Sequence, residues 1–238
     1  MEQNNKNNGI SIVACTNKEG YMDNIFSNYQ NQILQEKELI IVLNSDSLNL
    51  NEWMKKAENY EHVQVYQLPE YTTLGSCLNF GIEKAKFKYV AKWDDDDYYG
   101  PAYLYEALKT FQNTDADILG KRSIFMYFPA TKELRLRFPG REFKPVKLVL
   151  GGTIVAKKSV MQDVPFLDIS LSEDTTFIKN ARAKGYRILS TSRYNYVYFR
   201  WDSNKHTWKP SSKYLNKTSK HVGFFPDIKQ IVDKEISG

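Results

Sequence analysis

Cysteine is scarce in this chain: only Cys15 and Cys77 occur in 238 residues, both in apolar text. Two such thiols read as reduced, buried side chains of a cytoplasmic protein. Long apolar runs are missing as well. None approaches the roughly 20 residues that cross a bilayer, and residues 1–8 are polar and Asn-rich, unlike an export signal. The net charge is +5, yet nowhere do five or six Lys or Arg stand together. That argues against nucleic acid as a partner and for small anionic molecules or surfaces. Gly-rich phosphate loops are absent too: there is no Walker P-loop and no G-x-G-x-x-G, and residues 10–20 lack the Gly-rich text of a sugar-nucleotide-forming enzyme.

What the chain does have is a core's worth of apolar residues (42%) and many aromatics, 16 Tyr, 13 Phe and 4 Trp. This length supports one large domain. Short apolar runs at 10–16, 39–43, 62–66 and 89–93 alternate with helical patterns at 21–34, 51–60, 76–85 and 101–111. Ile25, Tyr29 and Ile33 mark the apolar face of the first helix, and Pro101 sits at the favoured first position of the fourth. Such alternation predicts an α/β fold with a mostly parallel central sheet, helices on both faces, and ligands at the strands' carboxyl ends. Beyond it, runs at 118–128, 134–138, 153–156, 186–189 and 194–199 predict a smaller mixed β region. The division expected is a disordered start (1–9), a domain over 10–208, and an irregular tail (209–238) ending in a short helix near 228–236.

Asp94, Asp95, Asp96 and Asp97 follow the fourth strand directly. Two carboxylates about 4 Å apart repel by roughly 4 kcal/mol at a partly shielded site. Dipole stabilisation of the next helix accounts for one or two of them, not four. A divalent cation resolves the crowding, since Asp oxygens are the hard ligands that Mg²⁺ and Mn²⁺ prefer. Alternate side chains of an extended segment share a face, so Asp94 and Asp96 form a D-x-D pair able to hold a metal on a diphosphate. An EF-hand is excluded, because Tyr99 and Tyr105 stand where Gly and Glu are needed. Downstream, Ser170-x-x-Glu173 fits a capping box at the start of a helix over 175–184. Asp174, by contrast, shares a face with Phe177, Ile178 and Ala181, which makes it the preferred general base, with Glu173 the alternative.

These pieces, in order, resemble the family 2 glycosyltransferases with their GT-A (Rossmann-like) fold. Ile12-Val13-Ala14-Cys15-Thr16 resembles the opening strand and Asn31-Gln32 the end of the first helix. Residues 40–47 (IIVLNSDS) sit where the family has Asp-Asp-Gly-Ser after a strand, residues 74–82 (LGSCLNFGI) resemble its Ala-Arg-Asn-x-Gly-Ile helix, and residues 93–101 its D-x-D-D…P segment. The resemblance implies an inverting, metal-dependent transferase that moves a sugar from a UDP-, GDP- or dTDP-sugar to a glycan or other hydroxyl acceptor. It implies Mn²⁺ or Mg²⁺ on Asp94 and Asp96, with His206 as a late ligand. The nucleotide pocket would draw on Thr16, Asn44, Asp46, Asn79 and Asp95. Gly151 and Gly152 match a Gly-Gly segment on the acceptor side, and the Glu173-Asp174 pair is placed at the base. Asn44 and Ser45 replace the usual base-reading Asp pair and Leu78 replaces a common Arg, which leaves the nucleotide open. Trp201 and Trp208 could stack on an acceptor sugar. The Asn- and Lys-rich text suits a low-GC bacterium, with surface or spore glycans as products. Two rivals remain: a non-catalytic module that binds sugar nucleotides or glycans, and a metal-dependent nucleotidyl or phosphoryl transferase.

Overall fold

The structure is a computed structural model, and it describes residues 8–201 and 211–235. In chain order, β1 (Ile10–Thr16), α1 (Met22–Gln30), β2 (Lys37–Leu43), α2 (Leu50–Ala57), β3 (Val63–Gln67), α3 (Leu74–Lys84) and β4 (Tyr89–Trp93) form the first half. Then come β5 (Tyr98–Tyr99), α4 (Tyr103–Asn113), β6 (Ile118–Gly120), β7 (Ile124–Phe128), β8 (Glu133–Arg137), β9 (Lys144–Pro145), β10 (Val155–Lys157) and α5 (Lys158–Asp163). The chain continues with α6 (Glu173–Ala183), β11 (Ile188–Ser190), β12 (Tyr196–Phe199), α7 (Ser212–Thr218), β13 (Ser219–Phe224) and α8 (Lys229–Val232).

The central sheet runs β3-β2-β1-β4-β10-β6-β11-β9. Its first four strands are parallel, while β10 enters antiparallel between β4 and β6. Strand alternation splits the core in two. Ile10, Ile12, Ala14, Leu39, Ile41, Leu43, Tyr89 and Ala91 pack with α1, α2 and α4, through Phe26, Trp53, Leu104 and Phe111. Val13, Ile40, Val42 and Val90 face the other way, onto α3, α5 and α6, through Leu78, Ile82, Met161, Phe177 and Ile178. Side chains of period two on strands covered from both sides dictate this arrangement.

Several expectations are corrected. The run at 118–128 is two strands in different sheets. The break falls at Lys121, whose buried ammonium meets Glu106 at 2.8 Å and the Ser192 carbonyl at 2.9 Å. β7 joins a second sheet of order β13-β8-β7-β12-β5, with its own core of Phe125, Tyr127, Leu134, Leu136 and Val197. The segment after 211 is not irregular. β13 pairs with β8, and Ile228 and Val232 complete that core, so the final helix is the short α8 rather than one over 228–236. α1 ends at Gln30, which leaves Ile33 exposed beyond it. Pro101 lies in the turn closed by Tyr103 N–H to the Gly100 carbonyl, ahead of α4. Among the described residues no helix is long and apolar enough to cross a membrane.

Candidate active site

The acidic run leaves β4 at the carboxyl edge of the parallel array and is held from behind by α1. The Asn24 amide donates to the carbonyls of Asp95 (2.8 Å) and Asp97 (2.9 Å), and the Asn28 amide donates to Asp97 (2.9 Å). Gln32 donates to Gly100 (2.9 Å) and accepts from Leu104 N–H (3.1 Å). Three amides at a spacing of four thus clasp the backbone of the acid loop, a signal visible in the sequence but not read there.

The clasp alternates the carboxylates. Asp95 and Asp97 are buried. Asp95 accepts the Thr16 hydroxyl at 2.6 Å, and Asp97 accepts the Tyr196 hydroxyl and the Phe199 N–H. Asp94 and Asp96 are half-buried and line a cavity of about 840 Å³. Burial, reinforced by Asp95 and Asp94, pushes the Asp96 carboxyl up to about 7. Burial likewise raises Asp95 and Asp97.

Lys92, absent from the sequence reading, sits beneath this loop in β4. It is buried, with its ammonium 2.5 Å from Asp94 Oδ1 and 4.0 Å from Glu173. Burial opposes its charge, but Asp94, Asp174 and Glu173 more than compensate and hold its pKa above the ordinary lysine value. A buried ammonium among three acids is a fixed internal counter-ion.

Gly151 and Gly152 form a 3₁₀ turn against the same loop. A Cβ on Gly151 would overlap Asp174 Oδ2, and one on Gly152 would stand 2.6 Å from Asp94 Oδ2. The two glycines therefore clear space for two carboxylates, one directly after β4 and one from α6. Tyr99, stacked on Trp93 at 4.2 Å, locks the arrangement: its hydroxyl accepts Asp94 N–H (2.8 Å) and donates to the Gly152 carbonyl (2.7 Å).

The capping box does not form. Ser170 Oγ accepts the Leu74 N–H of α3, and the residue before α6, Ser172, is left-handed (φ 66°) without a side-chain cap. That turn delivers Glu173 and Asp174 to the cavity together. Glu173 is buried and raised by desolvation, with Lys92 opposing the rise. Asp174 is more open, and its Oδ1 accepts Thr175 N–H at 2.5 Å.

Of the expected residues, Thr16, Asn44, Asp94, Asp95, Asp96, Gly151, Gly152, Glu173 and Asp174 all line the one cavity, as does Leu78. Two lie off it. Asp46 is exposed on the surface, and Asn79 spends both ends of its amide on the backbone of Phe166 (2.8 and 3.0 Å). Trp201 stacks on Phe199 at 5.5 Å. His206 and Trp208 lie outside the described residues. A second hollow of about 370 Å³ shares Asn17 and Asn44 and adds Ser45, Glu70 and Tyr71.

The donor set suits a hard cation bound partly by substrate. Among the described residues no three His, Cys, Asp or Glu converge as a complete metal cage. Asp96 and Oδ2 of Asp94 nevertheless present carboxylate oxygens to the cavity, in a crowd of acids that holds Asp96 protonated up to about pH 7. Mg²⁺ and Mn²⁺ commonly take one or two carboxylates and complete their shell with phosphate oxygens.

A mixed sheet with acids at the β4 edge and a carboxylate pair facing them across two glycines has the architecture of the GT-A fold. The model of glycosyl transferase family 2 matches residues 11–157, and the chain belongs to that family. Among solved structures, S. aureus TarS 1–349 in complex with UDP-GlcNAc superposes with a TM-score of 0.66 at 22% identity, covering 86% of this chain and 61% of that one. Its UDP complex gives 0.65 at 22% identity, covering 82% and 61%. Poly-beta-1,6-N-acetyl-D-glucosamine synthase of Staphylococcus aureus (strains MSSA476 and MW2) is 26% identical over 192 residues, 74% of this chain. The chain spans about half the length of these curated relatives (46%).

Proposed function

We propose that this protein transfers N-acetylglucosamine from UDP-N-acetylglucosamine to an acceptor hydroxyl, with inversion, in the synthesis of a cell-surface polysaccharide. The donor rests on the relatives: the superposed TarS structures hold UDP-GlcNAc and UDP, and the curated relatives are named for a poly-N-acetylglucosamine. The observation that carries the chemistry is the pairing of Asp94 and Asp174 across consecutive glycines in one cavity. One carboxylate is thereby set for the departing diphosphate and the other for the incoming hydroxyl.

In this reading the uridine lies toward Thr16 and Asn44, with the hollow at Ser45, Glu70 and Tyr71 receiving the base. Asp96 and the open edge of Asp94 would hold Mg²⁺ or Mn²⁺, which supplies Lewis-acid stabilisation of charge on the diphosphate. The acceptor oxygen forms its bond to the anomeric carbon as the bond from that carbon to the phosphate oxygen breaks. The acceptor's proton passes to Asp174 Oδ2, and UDP leaves with the bonding pair. A single displacement of this kind inverts the centre. Lys92, which also lines the cavity, holds Asp94 and Glu173 in place.

The test combines binding with turnover. UDP-N-acetylglucosamine should raise the melting temperature only with Mn²⁺ or Mg²⁺, as a ligand of the native state does. Asp174→Asn should keep that shift and lose about 10²–10⁴-fold in turnover, the usual worth of a general base. Full turnover in Asp174→Asn removes the assigned base. Release of pyrophosphate instead of UDP supports a nucleotidyl transferase instead.

A further inference from the structure

The far wall of the cavity is basic. Arg122, just after β6, and Arg137, at the end of β8, both line it and both stack on Phe138, with guanidinium carbons 3.9 and 4.7 Å from the ring centre. Phe138 is held at φ 47°, a left-handed conformation that a bulky aromatic rarely adopts. Its backbone is pinned there by N–H to the Thr218 carbonyl (2.8 Å) and by the Ser123 hydroxyl on its own carbonyl (2.6 Å). Strain of this kind persists where surrounding structure enforces it, and it collects at ligand sites. Arg122 is half-buried, and no ion pair among the described residues joins it to an acid. The charges that act on it are mostly of its own sign: burial first, then Arg137 and Arg141, depress its proton affinity, while Tyr214 opposes them. Glu142, beside Arg141 in the chain, is bound to Arg193 at 2.8 Å.

This wall lies on the acceptor side. In the sheet the order is β2, β1, β4, β10, β6, so Asn44 and Thr16 flank the acid loop on one side and Arg122 on the other. The chain also ties Arg122 to the base. The Lys121 carbonyl, one residue before it, accepts Leu150 N–H at 3.0 Å, and the following Gly151 is the glycine that makes room for Asp174. A hydroxyl presented to Asp174 therefore brings its neighbouring groups toward Arg122 and Arg137.

We propose that Arg122 and Arg137, on the Phe138 platform, form a subsite for a phosphate carried by the acceptor next to its reacting hydroxyl, so that the acceptor is a phosphate-bearing polyol or saccharide and not a neutral glycan. The inference rests on the transferase reading for the direction of attack. Guanidinium forks match phosphate oxygens two at a time, and charge-assisted bonds of this type are the strong ones. Phosphate also offsets the mutual repulsion of the two cations, and among the described residues no acid is ion-paired to Arg122.

The probes are glycerol 3-phosphate and glycerol, titrated calorimetrically into the full chain with saturating UDP and Mg²⁺, so that the donor's phosphate site is filled. The wild type should bind the phosphate ester at least about tenfold more tightly than glycerol, and Arg122→Gln should lose about tenfold or more, as for a charged hydrogen bond removed. UDP affinity of Arg122→Gln should stay within about twofold of wild type. Arg122→Lys, which keeps the charge but not the fork, serves if the glutamine variant fails to fold, and should bind the ester more weakly than wild type. The proposal is overturned if either variant binds the ester as wild type does, if glycerol binds as well as its phosphate, or if UDP affinity falls with the ester's, which makes this a donor-phosphate contact. If UDP does not bind wild type while the ester still binds through Arg122, the donor reading fails and the anion subsite stands.

Discussion

The two walls of the cavity carry opposite charge and handle it in different ways. On the acidic wall, Asp94, Glu173 and Asp174 surround a buried cation that the chain supplies itself, Lys92. On the basic wall, Arg122 and Arg137 rest on an aromatic ring, with Arg141 adding charge of the same sign to Arg122. The acidic wall can thus keep its shape without a ligand, save at Asp96, where burial and the crowding of Asp95 and Asp94 outweigh the opposing charge of Lys18. The basic wall, in the reading proposed above, receives its anion from the acceptor. The difference teaches which charges are scaffold and which are aimed at substrate.

Lys92→Met tests that distinction most severely. It removes the internal counter-ion and leaves acids unpaired around a buried methionine, so it should destabilise the fold by about 3–5 kcal/mol, measured by urea unfolding. A loss no larger than that of Arg122→Gln would erase the contrast between the walls. Asp97→Ala comes next. It strands the Tyr196 hydroxyl and Phe199 N–H in the interior and should cost about 1–3 kcal/mol, while the proton-accepting role of Asp174 is untouched. Collapse of the UDP-dependent melting shift in an Asp97→Ala protein that remains folded would make Asp97 a ligand-binding residue instead.

The third test reads a slope. Asp96 keeps its proton up to about 7 in the fold, against 3.8 for the free group. Between those values the native state binds more protons than the unfolded chain, so metal-free stability falls as pH rises through that window. Asp95 and Asp97, also raised, act in the same sense. Asp96→Asn should flatten part of this slope, and it should abolish any gain from Mn²⁺ with UDP. Parallel urea-midpoint curves for variant and wild type, in chelator from about pH 4 to 8, would show that Asp96 is not the crowded acid.

The first half of the fold was legible because its signal is local. Strands β1, β2 and β4 are apolar on both faces and are separated by helices of ordinary length, so the sequence places their carboxyl ends, and with them the acid loop. The second half was not legible in the same way. β13 (SKHVGF) has one buried residue in six and exists because β8 offers it a partner. Ser170 looks like a helix cap, but α3 claims its hydroxyl oxygen. Asn79 looks like a ligand contact, but the loop at Phe166 consumes its amide. Lys92 and Lys121 were passed over because a lysine in an apolar strand reads as an interruption until its acids arrive from elsewhere in the chain.

The sequence by itself determined the α/β class, the family, and the placing of four aspartates at a strand's end, since these follow from periodicity and from residues adjacent in the chain. Tertiary structure alone decided which aspartates stay half-open at the cavity and which are buried on Thr16 and Tyr196, and what the two glycines make room for. It also decided that Arg122 and Arg137, from different sheets, share one ring. The physical reason is common to all of these: a carboxylate, an ammonium or a guanidinium acts through what lies within a few ångströms of it, and at this site those neighbours come from β4, α6, β6 and β8, segments far apart in the chain.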